Sequence, residues 1–267
     1  MEEFKFSQLN LAGWGWKNTK EEWKSRLFRG CNYLKEHYSD ALAIALHETQ
    51  LTAGKRLETI RDVFPEKDWE IILPNGFDPE ERPKSVACVL LLNKAYVNAY
   101  SIMKLGHGLE DHSNYNYVAV TTNTGRNIEL LSVHVPHNCF DGSNAATWYI
   151  ETRRDLRKRF EEAIFEVAEG SDNLVLMTDL NAGPEDSFVK ELAYRRVDPI
   201  MFDAMAPELK TTPTWERDGK ATKIDYLLYS YQMMINGAVA IPTTIDRSSI
   251  DEVFSDHVIL TGGIKFK

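Results

Sequence analysis

Cysteine is scarce in this sequence of 267 residues. Cys31, Cys88 and Cys139 are scattered, and none belongs to a C-x-x-C pair, which excludes a zinc site of the usual spacing. The same scatter argues against a disulfide framework and suits a reducing compartment. Long apolar runs are missing too: none approaches the ~20 residues that a membrane-spanning helix needs. The first ten residues, MEEFKFSQLN, lack a basic segment followed by an apolar one, so no signal peptide is read and the expected location is cytoplasmic. Positive charge is also in short supply. The net charge of -9 excludes a protein that coats nucleic acid by bulk electrostatics, although a local basic strip remains compatible with it. No internal repeat and no low-complexity linker interrupts the chain.

What is present is ordinary globular material, 43% hydrophobic and 27% charged, enough for a sizeable core. Short apolar runs with the length and branching of buried strands recur through the chain. They are Ala41–Leu46, Val86–Leu92, Tyr117–Val120, Ile128–Val135, Leu174–Met177, Ile224–Tyr229 and Val258–Leu260. Between them lie amphipathic segments. Trp23, Leu27, Cys31, Leu34 and Tyr38 recur at steps of three and four and predict a helix over Lys20–Tyr38. A second helix is expected over Ala145–Glu169, with Trp148, Leu156, Phe160, Ile164 and Val167 facing inward and Gly170 and Ser171 ending it. A weaker third covers Pro184–Tyr194. Strands alternating with covering helices point to sheets packed inside helical layers. Two long polar loops, Asn75–Lys84 and Met103–Asn116, are candidate substrate contacts. His107 and His112, in the second, carry no metal spacing and read as solvated.

The placement of the polar residues is more informative. Asn10 lies in QLNLAG, Glu48 ends ALAIALHE, and His134 lies in LLSVHVPHN. Asp179 and Asn181 end NLVLMTDLNAG, Asp225 opens IDYLLYS, and Asp256 and His257 lie in FSDHVIL. Buried charges are costly unless they are paired or bound to a metal. So many at strand ends, where α/β sheets gather their sites, suggest one shared polar centre. Ligation by Glu and Asp oxygens, with Asn helping, is what Mg²⁺ or Mn²⁺ prefers.

Taken in order, these motifs resemble the endonuclease/exonuclease/phosphatase superfamily, which includes DNase I-like nucleases, abasic-site endonucleases, sphingomyelinases and inositol-phosphate phosphatases. LNLAG resembles the family's opening strand with its Asn, ALHET its Gln-Glu strand end, and SVHVP its catalytic-His strand. TDLNAGPEDS resembles its Gly-Asp-Phe-Asn turn, TPTWERDGKATKIDYLL its Thr-Trp segment and Asp-Tyr strand, and FSDHVIL its terminal Ser-Asp-His. Two positions depart from the pattern: His47 stands where Gln is usual, and Thr178 where Gly is usual. The first bears on fine specificity.

The resemblance implies an α/β four-layer sandwich, two packed antiparallel or mixed β-sheets flanked by helices, with residues 1–267 forming one catalytic domain. It implies a monomeric metal-dependent phosphoesterase using Mg²⁺ or Mn²⁺ on a phosphoester substrate, with nucleic acid the leading candidate. Glu48 would ligate the metal directly, with Asn10 and Asp256 completing its shell. Asp179 would orient or deprotonate the attacking water, and Asn181 would hold that water or a phosphate oxygen. His257 would contact the phosphate, with Asp225 orienting its ring, and His134 would share the acid–base work. The family's abasic-site endonucleases have Tyr at that last position. Arg153, in the basic run ETRRDLRKRF, either reaches substrate phosphate or belongs to a solvated helix face. Trp215 either lines the site rim or packs, and Trp14 and Trp16 either stack on substrate or pack in the core. A nuclease leads. A phosphomonoesterase or phospholipase of the same fold is the alternative, and an inactive binding module would have lost an expected catalytic position, which this sequence has not.

Overall fold

The computed structural model describes residues 2–11, 20–51, 55–78, 86–137, 147–195, 197–217, 219–251 and 254–267. Trp14, Trp16, Cys139 and most of the Asn75–Lys84 loop lie outside them. The elements begin β1 (Glu2–Asn10), α1 (Lys20–Tyr38), β2 (Ala43–Gln50), α2 (Lys55–Val63), β3 (Trp69–Ile72) and β4 (Val86–Asn93). Next come β5 (Val97–Met103), β6 (Tyr115–Thr122), β7 (Asn127–His134), α3 (Thr147–Gly170), β8 (Leu174–Asp179) and α4 (Ser187–Ala193). The chain closes with β9 (Met201–Asp203), β10 (Trp215–Arg217), β11 (Lys220–Thr222), β12 (Asp225–Ser230), α5 (Tyr231–Ile235), β13 (Val239–Asp246), α6 (Ser248–Asp251) and β14 (Ile259–Phe266).

Two six-stranded mixed sheets form, in the orders β13-β14-β1-β2-β4-β3 and β5-β6-β7-β8-β12-β9. Alternation along the strands assigns side chains to layers. Phe4, Phe6, Ala43, Ala45, Leu90 and Leu92 of the first sheet meet Val118, Val120, Ile128, Leu130, Val175 and Met177 of the second. The first sheet's other face, with Ile44, Leu46, Val89 and Leu91, packs on Leu27, Cys31 and Leu34 of α1 and Ile60 of α2. The second sheet's outer face, with Leu131, Val133, Leu174 and Leu176, packs on Phe160 and Ile164 of α3 and Val189 and Leu192 of α4. The result is the helix–sheet–sheet–helix order expected of a four-layer sandwich. Central strands such as β8 and β12 are buried along their whole length, which is why they read as continuous apolar runs rather than alternating ones. The layers close tightly around β14: a Cβ on Gly262 would lie 2.7 Å from Tyr229 Oη of the facing sheet, so only glycine fits there.

The α1 stripe is realised in Leu27, Cys31 and Leu34, all fully buried. The expected inward stripe of α3 fails at one place. Trp148 is 68% exposed, because at ~100° per residue it sits roughly 120° around the helix from Phe160. His112 is not solvated as expected: it is half-buried, and its ring meets Phe160 edge-on at 5.1 Å. His107 is exposed but held by Glu166 at 2.9 Å. Cys31 and Cys88 are buried free thiols. Among the described residues, no helix is long and apolar enough to cross a membrane.

Candidate active site

The topology brings the polar strand ends together. β1 and β2 are parallel, and so are β7 and β8, with His134 in register with Asp179. β12 runs antiparallel to β8, so its first residue, Asp225, pairs with Asp179. β14 runs antiparallel to β1, so Asp256 and His257, just before β14, return to the end of β1. One edge of the sandwich therefore collects Asn10 and Glu48 from the first sheet, and His134, Asp179, Asn181 and Asp225 from the second.

Two local irregularities aim the side chains. The β2–β4 register shifts between Leu46 and Thr49, and within that bulge Glu48 has φ 52°. A non-glycine residue held there costs on the order of 1–3 kcal/mol, and bulges are a known way to re-aim a side chain at a site. Asn181 has φ 49°, which Asn tolerates better than most residues. Its backbone N–H donates to Asp179 Oδ1 at 2.8 Å, closing a short turn.

Asp179 joins the two halves. Its Oδ2 accepts from Asn10 Nδ2 at 2.8 Å, and the same Nδ2 lies 3.3 Å from Glu48 Oε1. His134 Nε2 lies 3.0 Å from Asn181 Nδ2 and 3.3 Å from Glu48 Oε1. It thus faces an amide donor and a carboxylate acceptor, so either protonation state of the ring has a partner. His257 Nδ1 contacts Asp225 Oδ2 at 2.9 Å, and its Nε2 lies 3.9 Å from Asp256 Oδ1. Asp256 Oδ2 accepts from Trp215 Nε1 at 3.2 Å, and Arg217 lies 3.9 Å away. Trp215 is therefore tied to a site carboxylate.

The electrostatics follow from burial. Burial, then the Asp225 charge, pushes Asp179 up to about 6; Glu48 adds to this, and His134 and His257 oppose it. Burial disfavours the His257 charge, yet Asp225, by charge and hydrogen bond, with Asp179 and Asp256, raises that group to about 10. Burial, then the neighbouring His134 and His257, lowers His47 to about 3, so its ring is neutral.

This donor set fits a hard divalent cation. Ligand atoms of Glu48, His134 and Asp179 lie within 4.8 Å of one another, as do those of Asp179, Asp225 and His257. Asp256 Oδ1 is buried without a hydrogen-bond partner, as suits a carboxylate oxygen facing a cation. Three buried aspartates and a half-buried glutamate crowd one edge, and the charged His257 ring offsets only part of their negative charge, which a cation would balance.

The sequence profile of the endonuclease/exonuclease/phosphatase family matches residues 54–257. The chain belongs to that family. Members are phosphoesterases and nucleases, and they depend on divalent metals. No curated protein matches the sequence. Among solved structures, TDP2 from D. rerio complexed with a single-strand DNA product is 13% identical, with TM-score 0.65, over 99% of this chain and 100% of that one. The human Nocturnin catalytic domain with bound sulfate is 15% identical, with TM-score 0.64, over 99% and 95%. An endonuclease/exonuclease/phosphatase from Bacteroides vulgatus is 14% identical, with TM-score 0.65, over 100% of both chains. At these identities the likeness shows the shared DNase I-like fold.

Several residues that support this candidate site are not evident from the sequence, and one candidate, Arg153, is engaged elsewhere. Arg153 stacks on Tyr149 and donates to its hydroxyl, with Nε and Nη2 each at 3.2 Å. It is Arg157, one turn on, that is buried, donating to the carbonyls of Pro136 and Leu180 at 3.1 and 3.2 Å and holding the loops that carry His134 and Asn181. Thr214 Oγ1 accepts the N–H of both Ile224 and Asp225 and fixes the start of β12. Ser255 Oγ donates to Asn10 O and accepts from His257 N, tying the end of β1 to the segment that leads into its neighbour β14. Thr214 stands in TPTWERDGKATKIDYLL, Arg157 in ETRRDLRKRF and Ser255 in FSDHVIL, but nothing in those motifs marks any of the three as a supporting residue.

Proposed function

We propose that this chain is a Mg²⁺- or Mn²⁺-dependent phosphodiesterase that cleaves nucleic-acid strands by in-line attack of water. The observation that carries the reading is the position of Asp179, between Asn10 on one sheet and Asp225 on the other and within 4.8 Å of ligand atoms on both sides. When bound, the ion supplies positive charge against phosphate oxygens whose charge grows in the transition state.

The protein's own groups do the rest. Glu48, Asn10 and Asp256 hold the ion, Glu48 most directly. Asp179 orients the attacking water and takes its proton, and Asn181 holds that water or a phosphate oxygen. Asp179 is suited to this because hydrogen bonds from Asn10 Nδ2 and the Asn181 N–H fix its carboxylate at the junction of the two sheets. His257, held charged and aimed by Asp225, donates to a phosphate oxygen. His134, with partners for both ring states, protonates the leaving oxygen. Trp215, tied to Asp256, lines the rim of the site, and Arg153 reaches substrate phosphate. Nucleic acid is favoured as substrate by the likeness to a TDP2 that holds a single-strand DNA product.

A substrate panel with Mg²⁺ tests this: single- and double-stranded DNA, RNA, bis-p-nitrophenyl phosphate, p-nitrophenyl phosphate and inositol phosphates. Diesters, with a polynucleotide among them, are expected to be cleaved fastest. Preference for monoesters would make the chain a phosphomonoesterase, and silence on all of them together with no metal binding would leave a binding module.

A further inference from the structure

Directly beneath the site, the layer between the sheets changes character. Its apolar filling gives way to cross-sheet polar ties. His47 is fully buried, and its Nε2 lies 3.1 Å from Ser132 Oγ on the facing sheet. Gln8 Nε2 donates across the same gap to Thr178 O at 3.2 Å. One step outward come the contacts of the site itself, Asn10 with Asp179 and Glu48 with His134. His47 directly precedes Glu48 in the β2 bulge, and Ser132 stands two residues before His134 on the same face of β7.

These ties are costly. Gln8 Oε1 is buried with no hydrogen-bond partner among the described residues, and the buried His47 ring meets, besides Ser132, only the Met177 backbone. An unsatisfied buried polar atom opposes folding, and an apolar pair of similar shape would avoid it. Ala45 and Met177, in the same layer, are such apolar residues. Polar atoms kept here against stability call for another use.

We propose that His47 and Ser132 are a positioning pair that sets the gap between the Asn10–Glu48 half of the metal site and the His134–Asp179 half. This rests on the metal-site reading above. Ligand atoms from two separate sheets can share one ion only if the sheets keep a fixed spacing at that edge, since metal–ligand distances tolerate only ~0.2 Å. Fastening His47 to Ser132 transmits that spacing to Glu48 and His134. His47 would then do this with an imidazole, at a position where Gln is usual in the family.

The test is calorimetric titration of the metal-free protein with Mg²⁺ and Mn²⁺, alongside thermal unfolding. The double variant His47→Leu/Ser132→Ala is expected to melt within a few degrees of wild type yet bind metal about 10- to 100-fold more weakly. His47→Gln, which can still reach Ser132, is expected to retain most of the affinity. Ser132→Ala alone decides the matter if the double variant does not fold, and a several-fold loss of affinity is expected for it. Metal affinity in the double variant, or in Ser132→Ala, within about twofold of wild type, while Glu48→Gln loses binding, overturns the positioning pair and leaves the metal site standing. No metal binding by wild type overturns the metal site as well.

Discussion

The layer between the two sheets has two contrasting ends. At one, Phe4, Leu92, Val120, Ile128 and Leu130 pack into one apolar cluster. At the other, β1, β2, β7 and β8 carry Asn10, His47, Glu48, His134 and Asp179, with like charges crowded and polar atoms left orphaned. The apolar end gains free energy from burial and the polar end loses some of it. Chain direction explains the division: β1, β2, β7 and β8 all run from the first end to the second, so one edge can concentrate the cost and the chemistry while the other holds the fold.

The contrast can be broken at either end. Asp179→Asn is expected to have the largest effect, lowering diesterase turnover by about 10²- to 10⁴-fold as a lost general base does. The metal-free variant should melt no lower than wild type, because one of the repelling carboxylates has been neutralised. Activity assays with parallel thermal scans check both, and a large loss of stability would mean that Asp179 serves the fold. At the other end, Leu130→Ala should cost about 2–5 kcal/mol in urea unfolding while leaving the turnover of folded molecules unchanged. A turnover loss matching that of Asp179→Asn would erase the distinction.

Smaller effects sharpen the boundary outside this layer. Asp246 accepts from the Tyr33 and Tyr38 hydroxyls. Burial pushes its carboxyl up, but hydrogen bonds from Tyr38, Ser248 and Tyr33 outweigh that and hold it below its ordinary value. A depressed carboxyl contributes stability above its unfolded value, and that contribution is lost as pH falls through the folded one. Asp246→Asn should therefore destabilise at neutral pH, and the deficit should shrink as pH drops below about 4. Unfolding midpoints across that range measure it, and a deficit constant with pH would assign the effect to packing. The smallest change belongs to Trp148→Ala, which should leave stability within about 0.5 kcal/mol because the ring is exposed. A larger drop by denaturant titration would place the ring in the core after all.

What the sequence made legible followed from burial. β8 and β12 are covered on both faces and stood out as apolar runs. β5 is largely exposed, and β10 and β11 are three residues each, so none carries a period that could reveal it. β13 carries Pro242 and exposed edge positions, and it went unread for the same reason. Trp148 reads as a stripe residue because one aromatic near the helical step resembles one until its angle is counted. Site residues were legible where an acid or imidazole followed an apolar strand, as with Asp179 and His134. The residues that hold them were not, because Arg157, Thr214 and Ser132 act through backbone carbonyls, N–H groups or a side chain distant in sequence. Arg153 and Arg157 lie in one basic run, and nothing in its composition tells the buried arginine from the one on Tyr149.

The central claim is that the carboxylates gathered at one edge of the two sheets hold a divalent ion used in diester cleavage. The most direct measurement is hydrolysis of a single-stranded oligonucleotide by protein stripped with EDTA and then titrated with Mg²⁺ or Mn²⁺. The account predicts no turnover in chelator, recovery on adding either ion, and no recovery in Glu48→Gln at the same concentration. Full activity in excess EDTA, or equal recovery by Glu48→Gln, would contradict it.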